Sequence, residues 1–360
     1  MSADARQSGG LRVGVDALNL LHDRRGIGRY ARAVLHAWLT DERHRVDVTL
    51  LVPQLFPGLI ARRLAAECGV PSVKVRRRSR ARHLDLDVVW HPWNGIFFES
   101  GCRDVAVIHD VWPFVHAAGR TTPAAQRRQE PFRVAAHRAT RILTDSQFSR
   151  TEIERHLGVD ESRIDVVPLG VDKSLLSLRA APARIDGVPR YVLFVGETEG
   201  RKDLATLIRA MAHLTAEVRG HTALVIAGRR ASSATIPSGV HVEFAGEVDD
   251  DRLASFYCGA AAFVFPSRYE GFGLPVLEAM AFGVPVIASD AASIPEAAGD
   301  AAEYFPAGDA EACARAIERV LGDPGLAASM RTRGRARATN MSWERCADAT
   351  LAALHRAAEL

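Results

Sequence analysis

Lysine is nearly absent from this 360-residue chain: of its 46 Lys and Arg residues, only Lys74, Lys173 and Lys202 are lysines. In so lysine-poor a sequence, a lysine at a plausible phosphate site is less apt to be accidental. Excess charge is also lacking. A formal net charge of +3 is too small to point to nucleic acid, which basic domains bind through concentrated positive surface. The five cysteines, Cys68, Cys102, Cys258, Cys313 and Cys346, are odd in number and scattered, with no CxxC pair and no His at metal spacing. That excludes a disulfide framework and a zinc site, and it implies a reducing, cytoplasmic setting. No apolar run reaches the roughly 18 residues of a membrane span. Met1–Gly10 also lacks the apolar stretch of a signal peptide.

What is present is an ordinary globular composition, 48% hydrophobic and 25% charged, over a length that suits two domains. The first half alternates apolar runs with helical patterns. Leu11–Ala17, Val46–Val52, Val88–Trp90, Val105–His109, Arg141–Thr144 and Ile164–Val167 read as buried strands, with helices such as Gly28–Leu39 and Ser149–Leu157 between them. Such strands need no polar face, because helices cover both sides of a parallel sheet. Leu169–Arg190 holds Gly170, Pro182, Gly187 and Pro189 without a sustained period, and reads as a linker. The pattern restarts at Tyr191–Val195 and continues with strands at Ala223–Ala227, Val240–Ala245, Ala262–Phe265 and Val284–Ala288. Helices Lys202–Leu214, Asp251–Cys258 and Leu274–Phe282 alternate with them. The expected fold is α/β, with two Rossmann-like domains at residues 1–172 and 187–342 and a linker at 173–186. Open parallel sheets bind ligands beyond the carboxyl ends of their strands, so the chemistry is expected in a cleft where the two domains face each other.

The strongest local signal is Glu270-Gly-Phe-Gly-Leu-Pro-Val-Leu-Glu278, which follows an apolar strand and opens a helix. Gly271 and Gly273 permit a tight turn close to a ligand. The amides of Phe272, Gly273 and Leu274 at a helix start suit phosphate oxygens, and Pro275 fits the first turn. Glu278, two helical turns beyond Glu270, is placed to take both hydroxyls of a ribose. The plainer alternative is a helix cap with a stray acid.

This segment resembles the E-x7-E motif of retaining GT-B glycosyltransferases of the family-4 type. The resemblance spans nearly the whole chain in the family's order. His109-Asp110-Val-Trp-Pro113 and Ser146-Gln-Phe-Ser149 look like first-domain motifs, and Val167-Pro-Leu-Gly-Val-Asp172 like the element at the domain junction. Val195-Gly196 followed by Arg201-Lys202-Asp203 looks like the family's basic pair, and Ile294-Pro-Glu296 and Ser342-Trp343 like later landmarks.

The resemblance implies a GT-B fold whose last helix, within 343–360, crosses back onto the first domain. It implies transfer of a hexose from a nucleotide-diphosphate sugar to a hydroxyl acceptor by front-face substitution with retention, the leaving phosphate helping to deprotonate the acceptor. GDP-mannose is favoured over UDP-sugars as donor, which makes mannosyl transfer in polysaccharide synthesis the first expectation. Arg201 and Lys202 would clamp the diphosphate, where fixed cations stabilise the charge of the leaving group. Glu270 would bind donor-sugar hydroxyls and the distal phosphate, Glu278 the ribose, and His109 the donor sugar. No cofactor and no metal are expected, because cations and helix amides handle the diphosphate. One departure stands out: many relatives carry Arg directly after the glycine of this strand, whereas here Glu197 follows Gly196.

Three features stay open between readings. Gly26-Ile-Gly-Arg-Tyr-Ala31 matches a dinucleotide fingerprint, yet eight residues, Leu18 to Arg25, separate it from the strand. In the resembled family a loop with Gly26 and Gly28 would lie beside the donor. Within Gly246–Asp251, Val248 would line the donor base, and Asp250 could accept from the adjacent N–H groups of guanine or serve as an acidic helix cap. Lys74–Arg82 is the densest basic run, either a solvated loop or a peripheral contact with an anionic membrane. Two other functions compete: a nicotinamide-dependent oxidoreductase using the Gly26 loop, and a non-catalytic binder of nucleotide sugars.

Overall fold

A computed structural model describes residues 10–23, 26–41, 43–53, 63, 73–116, 122–172, 180–197, 200–229 and 235–360. The chain divides into two compact units, Met1–Leu169 with Trp343–Leu360, and Gly170–Ser342.

The first unit carries strands β1 (Leu11–Asp16), β2 (Val46–Val52), β3 (Lys74–Arg77), β4 (Val88–His91), β5 (Arg103–Val107), β6 (Arg141–Thr144) and β7 (Ile164–Val166). They form one parallel sheet in the order β3-β2-β1-β4-β5-β6-β7. Its helices include α1 (Gly26–Thr40), α2 (Pro123–Arg138) and α3 (Gln147–Leu157). Helix α3 has both chemical signals of a helix with defined ends. Ser146 Oγ accepts from Ser149 N at its start, and Gly158, at φ 65°, ends it.

The second unit repeats the plan with β8 (Arg190–Val195), β9 (Thr222–Ala227), β10 (His241–Gly246), β11 (Ala262–Phe265), β12 (Val286–Ser289) and β13 (Ala302–Phe305), in the order β10-β9-β8-β11-β12-β13. Helices α4 (Leu204–His213), α5 (Asp250–Gly259), α6 (Leu274–Ala281), α7 (Ala310–Gly322) and α8 (Pro324–Asn340) cover it. Leu207, Ile208 and Met211 of α4 recur at helical spacing and pack with Ile317 and Val320 of α7 over Phe194, Ile226 and Val264. Burying each such side chain contributes about 1.5–3 kcal/mol, which fixes the sheet that carries the site loops.

The last helix, α9 (Trp343–Glu359), belongs to the first unit. Trp38 Nε1 on α1 donates to Ala347 O at 3.1 Å in a buried contact, and Arg356 pairs with Asp165 at 2.9 Å.

The units divide after Leu169 rather than after residue 172, because Val171 bridges to Ser342 and its amide donates to Met341 O. The described part of the supposed linker packs on the second unit. Ala183 N donates to Ser255 O, and only a glycine fits at Gly259, where a Cβ would meet Ala183 O at 2.3 Å. Residues 173–179 of that segment lie outside the described residues.

The Lys74–Arg82 run is not a loop. It forms edge strand β3, in register with Thr49–Val52, and then a 3-10 turn over Arg78–His83. Val75 points into the core, while Lys74, Arg76, Arg77, Arg80 and Arg82 are exposed. Charged edge strands resist unwanted pairing.

Candidate active site

Strand order predicts where each sheet binds a ligand. In the second sheet the order reverses between β8 and β11, and in the first between β1 and β4. Ligands gather at such reversals, beyond the carboxyl ends of the strands. Strand β8 runs into Gly196 and then a 3-10 turn, Gly200–Lys202. Strand β11 runs into Pro266-Ser267 and the loop that ends at Gly273, where α6 begins.

The side chains on these two segments meet. Glu270 is 6% exposed. Lys202 Nζ lies 2.7 Å from its Oε1, and Arg201 Nη1 lies 3.7 Å from its Oε2. Lys202 also stands 5.0 Å over the Phe265 ring, an arrangement that favours the cation. The loops are tied by backbone as well, with Arg268 N donating to Arg201 O at 2.8 Å and Ser293 Oγ to Glu270 O at 2.8 Å. Arg268 Nε holds Asp203, whose backbone sits at φ 44° directly after the basic pair. Two cations converging on one buried carboxylate leave a positive excess beside a helix N-terminus, an arrangement suited to an anion.

Gly273 caps α6 at φ 111°, a backbone that other residues rarely adopt, and Pro275 occupies the first turn. Phe272 is buried, and Leu274 opens the helix. Gly196 sits at φ 151°, where a Cβ would meet the Lys202 side chain at 3.7 Å. The departure at Glu197 has a local partner in Arg229, 3.2 Å away.

Glu278 is buried on α6, and its Oε2 accepts from Tyr257 Oη at 3.2 Å. Tyr257 lies 21 positions earlier on α5, with no local pattern in the sequence to link it to Glu278. At the start of α5 the capping carboxylate is Asp249, which accepts from Arg252 N at 2.8 Å. Asp250 is an exposed first-turn residue, and Val248 is half-buried before it.

In the first unit, His109 follows β5 and is 6% exposed. Its Nδ1 faces both oxygens of Asp145, at 2.8 and 3.0 Å, and its Nε2 faces Pro92 O at 3.2 Å. Both ring nitrogens thus meet acceptors within the same unit. Burial disfavours the imidazolium, but the Asp145 charge and hydrogen bond outweigh it, and the His109 pKa is raised. Asp145, 36 residues away, is a partner that the sequence did not disclose.

A second buried group lies at the β1–β4 reversal. His91 is fully buried, with Nε2 2.9 Å from Asp104 Oδ1 and Nδ1 3.6 Å from Asp16 Oδ2. Burial again opposes its charge, and the two carboxylates raise its pKa.

Gly26 and Gly28 are the first and third residues of α1 rather than a loop running on from β1. A Cβ at Gly28 would lie 1.7 Å from Asp23 O, so only a glycine fits there.

The sequence contains two Asp-x-Asp stretches. Arg12 bridges Asp85 and Asp87, and Asp249 of the other stretch caps α5. Among the described residues, no group of three or more His, Cys, Asp or Glu is arranged to hold a metal ion. Among those residues also, no helix is long and apolar enough to cross a membrane.

Residues 180–337 match the family described as Glycosyl transferases group 1, and residues 24–175 match Glycosyltransferase Family 4. The chain is 31% identical over 293 residues to O-antigen chain mannosyltransferase B of Escherichia coli, an alignment covering 77% of this chain and 76% of that protein. Among solved structures, the fold is similar to sucrose-phosphate synthase (tll1590) of Thermosynechococcus elongatus, with TM-score 0.69 at 20% identity over 96% of this chain and 98% of that one. It is also similar to Anabaena Alr3699/HepE in complex with UDP and glucose, with TM-score 0.69 at 15% identity over 96% and 100% of the two chains.

Proposed function

The chain belongs to the group 1 glycosyltransferases, built on the GT-B fold, and from that premise we propose that it transfers mannose from GDP-mannose to a glycan or lipid-linked hydroxyl with retention of configuration. The observation that carries this reading is the Arg201–Lys202–Glu270 cluster beside the α6 N-terminus. Chemistry at a nucleotide sugar breaks the anomeric C–O bond and leaves a diphosphate whose charge grows as the bond lengthens. Fixed cations and helix amides meet that charge without reorganising. Arg201, Lys202 and the amides of Phe272, Gly273 and Leu274 take this role. Glu270 orders the two cations and accepts from donor-sugar hydroxyls, and Glu278 accepts from the ribose. The departing phosphate oxygen takes the acceptor proton from the same face, which keeps the anomeric configuration and requires no metal.

Mannose is favoured because the E. coli relative is a mannosyltransferase, and guanine because Asp250 stands exposed at the start of α5 with two acceptor oxygens. UDP-sugars come second, in view of the UDP-bound structural neighbour. The nicotinamide reading of the Gly26 loop is set aside, since both halves of the chain match glycosyltransferase families.

A melting panel of GDP, UDP, ADP, dTDP and NAD tests the donor. A ligand that binds only the folded state adds about 2.7 kcal/mol of stability at a hundredfold excess over Kd. GDP is expected to lead, and Asp250→Ala to erase its preference while keeping the diphosphate-driven shift. A lead by UDP removes the guanine assignment, and a shift by NAD alone overturns the reading.

A further inference from the structure

Tyr257 is 1% exposed, and its hydroxyl donates to Glu278 Oε2 at 3.2 Å in a buried contact between α5 and α6. The phenol ring cannot follow the carboxylate. It stacks on Phe282 with centroids 5.1 Å apart and planes 12° apart, and it leans on Phe263 at 5.9 Å. With the ring clamped on two sides, the flexible partner is Glu278, whose side chain has three torsions. The hydrogen bond therefore helps to fix where that carboxylate rests.

A tyrosine that served only the core would need any acceptor for its hydroxyl. Tyr191 has one of that kind, the Phe256 carbonyl at 2.7 Å. Tyr257 instead uses a carboxylate on the same helix whose N-terminus carries the phosphate-binding amides.

We infer that Tyr257 is a positioning residue that sets ribose selectivity by holding Glu278 aimed at the nucleotide's sugar hydroxyls, an inference that rests on the donor reading above. The base is immaterial to it, and the diphosphate is bound elsewhere on the loop.

Titration calorimetry on the full-length protein tests this with GDP, UDP, their 2′-deoxy forms and inorganic pyrophosphate. The wild type is expected to prefer the ribo form by about tenfold, the scale of a hydrogen bond to a charged group. In Tyr257→Phe that preference falls to about threefold or less, through weaker ribo binding, while affinities for the deoxy forms and pyrophosphate hold. In a Glu278→Gln background, adding Tyr257→Phe changes the preference no further. Tyr257→Phe deletes one oxygen from a stacked ring, and its melting temperature checks that the fold persists. If Tyr257→Phe fails to fold, 4-aminophenylalanine in place of Tyr257, a weaker donor of the same reach, must lower the ribose preference while leaving the deoxy forms unchanged, and an unchanged preference overturns the assignment. Retention of the full preference in Tyr257→Phe, or equal weakening of ribo and deoxy forms, overturns the role of Tyr257 alone. Absence of any ribose preference in the wild type overturns the Glu278 reading, and the role of Tyr257 with it.

Discussion

Replacing Lys202 with alanine separates two roles that its position combines. The ammonium lies 2.7 Å from Glu270 Oε1, with the Lys202 side chain 13% exposed. At an effective dielectric near 20, the attraction across that distance is about 6 kcal/mol before desolvation. Taking both ions out of water removes most of it. Arg201 remains 3.7 Å from the same carboxylate, so Glu270 keeps a cation in the variant. The expected stability loss is therefore about 1–2 kcal/mol, below the roughly 3–5 kcal/mol seen when a buried charge loses its only partner. Turnover suffers more. A preorganised group facing the charge that develops in the transition state contributes about 2.7–4 kcal/mol, so kcat should fall about 10²- to 10³-fold. Release of nucleoside diphosphate from the donor, measured beside circular dichroism, reads both quantities. Adding Glu270→Gln takes the carboxylate from Arg201 as well, so the double variant should gain no stability over Lys202→Ala and stay slow. Near-normal turnover in folded Lys202→Ala contradicts a role for Lys202 in meeting the leaving charge. So does turnover that recovers together with stability in the double variant, since Lys202 would then serve only to neutralise Glu270.

The geometry supports three further expectations. His91 and His109 have raised native pKa values, so their contribution to stability is complete below the unfolded value of about 6.5 and is lost as pH climbs through the raised native values. Urea midpoints taken from pH 6 upward should fall, and His91→Gln should flatten part of that slope; an unchanged slope removes His91 from the account. Gly28→Ala forces a Cβ against Asp23 O and should cost roughly 2 kcal/mol or more, read by thermal melts; a neutral result would mean that the turn relaxes freely. Donor turnover should persist in excess EDTA, since cations and amides hold the diphosphate; loss of activity restored by Mn²⁺ contradicts that.

How legible each element is in the sequence depends on how it is buried. Tyr191–Val195 and Ala262–Phe265 are central parallel strands, apolar on both faces, and they read as continuous runs. Lys74-Val-Arg-Arg77 is an edge strand with one inward residue and three exposed cations, so its composition imitates a solvated loop. Helix Pro123–Arg138 leaves little pattern in the sequence, because only Phe132 and Ala135 are buried on it and Pro131 lies inside it. Glu270 and Lys202 were legible through their local motifs, although far apart in the chain. Asp145 and Tyr257 were not, because their roles come from partners 36 and 21 residues away that only the fold brings together.

The proposed reaction is retaining transfer from a nucleotide-diphosphate mannose. Time-resolved proton NMR of the protein with GDP-α-mannose in water, without acceptor, tests it most directly, because slow hydrolysis reports the stereochemistry of the same bond cleavage. The first mannose released should be the α anomer, before mutarotation mixes the signals, and Glu270→Ala should release about 10²-fold less per unit time. A β anomer formed first contradicts retention, and a donor left intact while NAD is bound contradicts the assignment as a glycosyltransferase site.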